Sequence, residues 1–215
     1  MEKCKRYVVF LVGLILNSIG IAVITMSSLG ISPISSIPNV LALQFTGLTL
    51  GNFTILFSLV LILIQLVILG KNFRLEHVLQ IPVSIVLGYL IDTCMLVFSF
   101  IKTELYWQQL LCLLVGCVIL GTGVYLESIT NVVMLPGESV VRAISFRRSS
   151  DFGSTKMAVD VSLAVIAVVL SFLFFRRLEG VREGTIIAAL LVGFIARQLG
   201  KRLNALPLRL VGISV

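Results

Sequence analysis

The sequence predicts an all-α integral membrane protein with about six transmembrane helices plus two short re-entrant or half-helices, arranged as two inverted repeats. Three observations carry this prediction. The 215 residues are 58% hydrophobic and only 13% charged, with a mean hydropathy of +1.12, whereas soluble domains carry about 25% charged residues. Apolar runs of spanning length recur along the whole chain. A spaced set of glycines and prolines then repeats about 103 residues later.

A span needs about 20 apolar residues to cross a hydrocarbon core about 30 Å thick. Six segments qualify, roughly 7–27, 49–70, 78–101, 107–127, 154–175 and 184–203. The first resembles a signal peptide, but its apolar stretch runs from Tyr7 to about Met26 without an A-x-A-like site, so it is expected to remain as a span. Two shorter segments, 33–46 (PISSIPNVLALQFT) and 136–146 (PGESVVRAISF), each begin at proline, a residue favoured at the first helical position. At 1.5 Å per residue the second covers only about 17 Å. It is too short to cross alone. No separate soluble module fits, so residues 1–215 are expected to form a single membrane domain.

The repeat register pairs Gly13 with Gly116, Gly20 with Gly123 and Pro33 with Pro136, each 103 apart, then Gly51 with Gly153 at 102 and Gly88 with Gly193 at 105. Any one glycine match means little; a register kept along four successive elements is harder to dismiss. Repeat 1 is therefore read as about 7–101 and repeat 2 as about 107–203, each ordered span, short helix, span, span. Three full spans per copy require the second copy to insert upside down.

Charge distribution agrees with that inversion. Loops rich in Lys and Arg stay cytoplasmic. If the short helices re-enter, the cytoplasm receives Lys3, Lys5, Arg6, Lys71, Arg74, Arg142, Arg147, Arg148, Arg197, Lys201, Arg202 and Arg209. The outside receives Lys102, Arg176, Arg177 and Arg182, and the RRLEGVREG loop fits the rule badly. Short helices that cross would give a poorer split, with the 71–74 loop outside. Both arrangements place the termini in the cytoplasm. The same loops account for the net charge of +7 without nucleic acid, whose binding needs a basic face with aromatic platforms.

A helix that starts inside a membrane leaves its first four N–H groups without intrahelical partners and presents a partly positive end. In VMLPGESVV, Pro136 needs no N–H bond, Gly137 permits close approach, and Glu138 and Ser139 occupy the first turn. Broken helices placed in pairs by an internal repeat form substrate sites in many secondary transporters. Pro136, Gly137, Glu138 and Ser139, with Ser35 and Ser36 of the first short helix, are therefore candidate substrate-binding residues. The competing reading is that Glu138 only caps its own helix.

Lys156 and Asp160 lie four apart on one face of the fifth span. Ionised residues within a span usually pair and face the protein interior. They form either a structural ion pair or part of a translocation path, with Asp160 exchanging protons or an ion. Asp92, within VLGYLIDTCML, is a third candidate for coupling. Glu127 ends the fourth predicted span and reads as interfacial, while Asn17, Gln65 and Asn52 read as interhelical glue. His77 stands alone, and none of Cys4, Cys94, Cys112 and Cys117 has CxxC spacing, so no metal site or cofactor is expected. Without a nucleophile–base arrangement or HExxH motif, enzymatic activity is not expected. Small residues such as Gly184 and Ala188 pack helices or a homodimer.

Several of these stretches resemble the YczE/YitT-like group of bacterial multi-pass membrane proteins. The resemblance lies in PGESVVRAIS (136–145), KMAVD (156–160), LEGVREGTIIAALLVGFIARQL (178–199) and SLGISPISSIP (28–38). It implies a protein of the bacterial inner membrane and carries no settled activity. The functional expectation is a transporter or exporter of a small polar solute. The alternatives are a substrate-binding membrane subunit of a larger transport complex, or a non-transport assembly or scaffold protein.

Overall fold

The computed structural model describes residues 2–73 and 77–203. They form eight α-helices: α1 (Glu2–Met26), α2 (Pro33–Gln44), α3 (Leu50–Leu69), α4 (Gln80–Val97), α5 (Tyr106–Thr130), α6 (Pro136–Arg148), α7 (Phe152–Phe175) and α8 (Glu183–Leu203). No strand occurs among the described residues. All but α2 and α6 are long and apolar enough to cross a membrane, so the six predicted spans and two short helices each have a counterpart. Arg74 and Arg209, counted above for charge distribution, lie outside the described residues.

Local chemistry sets the helix starts in matched pairs. Pro33 and Pro136 sit at the first position of α2 and α6. The residues before them, Ser32 (φ −60°, ψ 147°) and Leu135 (φ −61°, ψ 148°), take nearly the same extended conformation, as steric conflict with a following proline ring demands. Thr49 caps α3 by accepting the Asn52 N–H at 3.1 Å, and Asp151 caps α7 by accepting the Ser154 N–H at 2.9 Å. That second bond holds the Asp151 carboxyl below its usual range.

α1 and α5 run against each other along most of their length. Glycines make this possible. A Cβ on Gly20 would lie 2.6 Å from the backbone N of Leu120, and one on Gly123 would lie 2.7 Å from the backbone N of Asn17. Gly13 and Gly116 face the same interface, against Gly123 and Gly20 respectively. Around this pair the contacts are reciprocal: α4 packs on α1 and α8 on α5, while α2 packs on α7 and α6 on α3. The main apolar core joins α1, α4, α5 and α8 through residues such as Leu14, Ile24, Ile91, Leu113 and Ala188; a second joins α2 and α7 through Val40, Leu163 and Ala167. The reciprocity is incomplete. Gly51 on α3 lies against Gly88 and Asp92 on α4, whereas Gly193 on α8 has no heavy atom within 4 Å.

The loop after α7 is tied down by its own polar groups. Ser171 Oγ donates toward the carbonyls of Arg177 and Glu179 and accepts the Glu179 N–H at 2.7 Å. Arg177 pairs with Glu179, and Arg182 with Glu183. Two of the three arginines of the loop that fits the charge rule badly thus have acidic neighbours. The cysteines are free thiols, with Cys112 and Cys117 buried, Cys94 half-buried and Cys4 exposed.

Candidate functional site

The first turns of α2 and α6 meet inside the bundle. A Cβ on Gly137 would fall 1.6 Å from Cδ1 of Ile34. Only glycine admits that side chain without displacing it. Gly137 therefore faces α2, and Glu138 follows about 100° further round the helix.

A cluster of neutral polar side chains holds α6 in place. Gln65 on α3 is fully buried, and its amide donates to Gln80 Oε1 and to the Pro136 carbonyl, both at 3.1 Å. In return Gln65 Oε1 accepts from Gln80 Nε2 at 3.2 Å and from Ser139 Oγ at 2.8 Å. Gln80 Nε2 also donates to Ser139 Oγ at 3.0 Å. Three helices are joined here without a single charge. Buried amides must be satisfied in this way, because each unpaired group costs about 1–3 kcal/mol.

Beside this cluster lies a cavity of about 640 Å³. Its wall is built from the end of α5 (Glu127, Ser128), the extended segment 131–135 with its valines, the first turns of α6 and the start of α4. Lys71, Asn72 and His77 close the other side. Glu138 lines the cavity and makes no hydrogen bond or ion pair among the described residues. The α6 N-cap, Leu135, has no side-chain cap bond, and Glu138 is the acidic residue of the first turn of α6. Glu127 is 7% exposed, and both of its oxygens accept from Asn17 Nδ2, at 3.1 and 3.2 Å. The charges of Glu127 and Glu138 act on each other. One turn further along α6, Arg142 lines the same cavity and is exposed.

The other predicted residues divide clearly. Lys156 and Asp160 form the expected ion pair at 3.2 Å; their charges reach Glu138, but neither is part of the cavity wall. Ser139 belongs both to the amide cluster and to the wall. Pro136 contributes its carbonyl to the same cluster. Ser35 and Ser36 are buried within the first turn of α2, bonded to Ser32 and to the Pro33 carbonyl, and lie away from the cavity. Asp92 is also elsewhere: it accepts from Thr49 Oγ1 at 2.6 Å and from the Gly51 N–H at 2.8 Å, bracing the start of α3 against α4.

Glu127 is the residue that the sequence placed differently. The predicted span stopped there, which made it interfacial. Helix α5 instead continues to Thr130 and carries Glu127 nearly a turn inward. Gln65 and Gln80 were visible only as amides inside apolar runs, with nothing local to say that they meet. Among the described residues, no three His, Cys, Asp or Glu side chains gather as metal ligands would.

A family model described as "Family of unknown function (DUF6198)" matches residues 4–201. No curated protein and no solved structure matches the chain.

Proposed function

We propose that this chain, which belongs to the family of unknown function DUF6198, is a transporter or exporter of a small polar solute, and that the cavity beside α6 is its binding site. The observation that carries this reading is Glu138, a carboxylate at the start of a short helix without a hydrogen bond or ion pair among the described residues, facing a cavity of about 640 Å³. Ligand sites commonly fall between about 300 and 1,000 Å³ and combine apolar walls with a few aimed polar groups.

The reciprocal packing supports two inverted repeats. The pairs Gly13–Gly123 and Gly20–Gly116 at the α1–α5 crossing exchange places under the 103-residue register, as a two-fold relation requires. Ile34 and Gly137, which touch, are also counterparts in that register. In this reading α2 and α6 are re-entrant helices that meet near the midplane, a common transporter arrangement. Both termini are cytoplasmic, in a bacterial inner membrane, and the cavity opens to the cytoplasm beside Lys71 and Arg142. Alternating access requires the second half to expose an equivalent path.

The test is a thermal-stability screen of the purified chain against small metabolites, followed by uptake into proteoliposomes. A binder should stabilise the native chain and lose its effect in Glu138→Gln, which keeps the side chain's size and an acceptor oxygen. Unchanged affinity in the folded Glu138→Gln variant would remove the cavity from consideration as the binding site.

A further inference from the structure

The charges around the cavity narrow the class of solute, an inference that rests on the transport reading of the same site. The inner end holds two carboxylates. Glu127 is more than nine-tenths buried and receives hydrogen bonds from a single amide nitrogen, although a carboxylate offers about four acceptor sites. Glu138 receives none among the described residues. The intramembrane cation nearest to them in sequence, Lys156, is already bonded to Asp160 at 3.2 Å. Two carboxylates thus line one cavity, and Lys156, whose charge reaches Glu138, is shared with Asp160.

Among the described residues, the lysine and arginine of the cavity wall, Lys71 and Arg142, are exposed. Arg142 lies four residues along α6 from Glu138, about 6 Å at 1.5 Å per residue, and among the described residues it makes no ion pair. Lys71 is also on the outer wall. Burying an uncompensated carboxylate is costly enough that such groups are paired or neutralised. A cationic ligand is therefore the solute that these two carboxylates favour. The volume and the apolar side chains of Val132, Val133 and Met134 suit a carbon skeleton rather than a bare alkali ion.

We propose that the cavity binds a small organic cation, its ammonium or guanidinium head seated between Glu127 and Glu138 and its other end neutral or anionic near Arg142. Charge-assisted bonds from such a head to two carboxylates are among the stronger polar contacts available. A second positive charge one turn away would meet Arg142, so diamines of that length bind less well than monoamines. When the site holds no cation, a proton on one of the two carboxylates compensates one of their two charges. It leaves to the water at the mouth when the cation arrives. Among the described residues, the charged or titratable groups around this exchange are Glu127 on α5, Lys156 and Asp160 on α7, Glu138 and Arg142 on α6, and Lys71 and His77 on the wall.

The test uses the full chain in a non-ionic detergent. Thermal unfolding is titrated between pH 6 and 8 with butylammonium, methylguanidinium, 4-aminobutyrate, putrescine, butyramide, butyrate and sodium chloride. Butylammonium, methylguanidinium and 4-aminobutyrate should stabilise the protein, putrescine less so. Their apparent affinity should weaken by at least about tenfold in Glu127→Gln and Glu138→Gln. Arg142→Gln should improve putrescine relative to butylammonium. If one proton is displaced, affinity falls by up to about tenfold per pH unit on the acid side. This readout needs no variant, so a variant that fails to fold leaves the proposal exposed to it. Stabilisation by butyramide or butyrate without the amines overturns the cationic class and leaves solute transport standing. Stabilisation by sodium alone overturns the organic ligand. An absence of stabilisation by every probe, in protein that unfolds cooperatively, overturns both readings.

Discussion

Asn17 Nδ2 donates to both carboxylate oxygens of Glu127, at 3.1 and 3.2 Å, across the α1–α5 interface. The two residues lie 110 apart in the chain and are both buried. Replacing Asn17 by leucine leaves the acid buried without its donor, a loss of about 1–3 kcal/mol. The Asn17→Leu/Glu127→Leu double variant should recover much of that loss, because neither polar group remains. Reversible denaturant unfolding of the four members of this cycle measures the coupling. Additive losses would mean that the hydrogen bond contributes nothing specific.

Gly20 tests the helix crossing. Its added Cβ would meet the backbone N and Cα of Leu120 at 2.6 and 2.7 Å, and backbone cannot step aside as a side-chain tip can. Gly20→Ala should destabilise by about 1–3 kcal/mol or more, the range for overpacked interiors. Gly193→Ala meets nothing within 4 Å and should change stability by less than about 0.5 kcal/mol. Melting temperatures of the two variants compare the interfaces directly.

Gly137 offers a gentler collision, because its neighbour is the far end of the Ile34 side chain. Gly137→Ala should cost roughly 0.5–1.5 kcal/mol as Ile34 leaves its rotamer, and Gly137→Leu more. Ile34→Ala in the same chain should restore part of the loss. A double variant no better than the sum of the singles would show that the half-helix starts are not in contact. Gly137→Leu tests helix docking and does not block the cavity, since the glycine faces α2.

Insertion can be read by cysteine accessibility, after replacement of the four native cysteines. Exposed Asn72 follows α3 directly, and exposed Lys102 lies between α4 and α5. Asn72→Cys should react with membrane-impermeant reagent only from the cytoplasmic side, and Lys102→Cys only from outside. Reaction of position 72 from outside alone would defeat the inverted-repeat arrangement.

By itself the sequence determined the ladder of helices. Apolar runs of spanning length leave a backbone little choice but to satisfy its own hydrogen bonds as helix, and Pro33 and Pro136 mark the two short helices by their missing N–H groups. The register of glycines was likewise visible, since close crossings select the smallest residue wherever they recur. The sequence also marked Glu138, because a carboxylate after a helix-breaking pair stands out in an apolar chain.

Only tertiary structure decided which polar residues share a space. Gln65, Gln80 and Ser139 are local oddities until α3, α4 and α6 converge; Asn17 and Glu127 are unrelated until α1 crosses α5. Ser35 and Ser36 look equivalent to Glu138 and Ser139 in register, yet bury against their own turn. Asp92, which looked deep enough for coupling, instead braces α3 against α4. The reason is physical: hydropathy and helix signals act over one or two turns, whereas a cavity depends on how distant helices rotate about their axes. That rotation is set by packing, here by glycines that let α1 and α5 touch and so turn Glu127 toward Glu138.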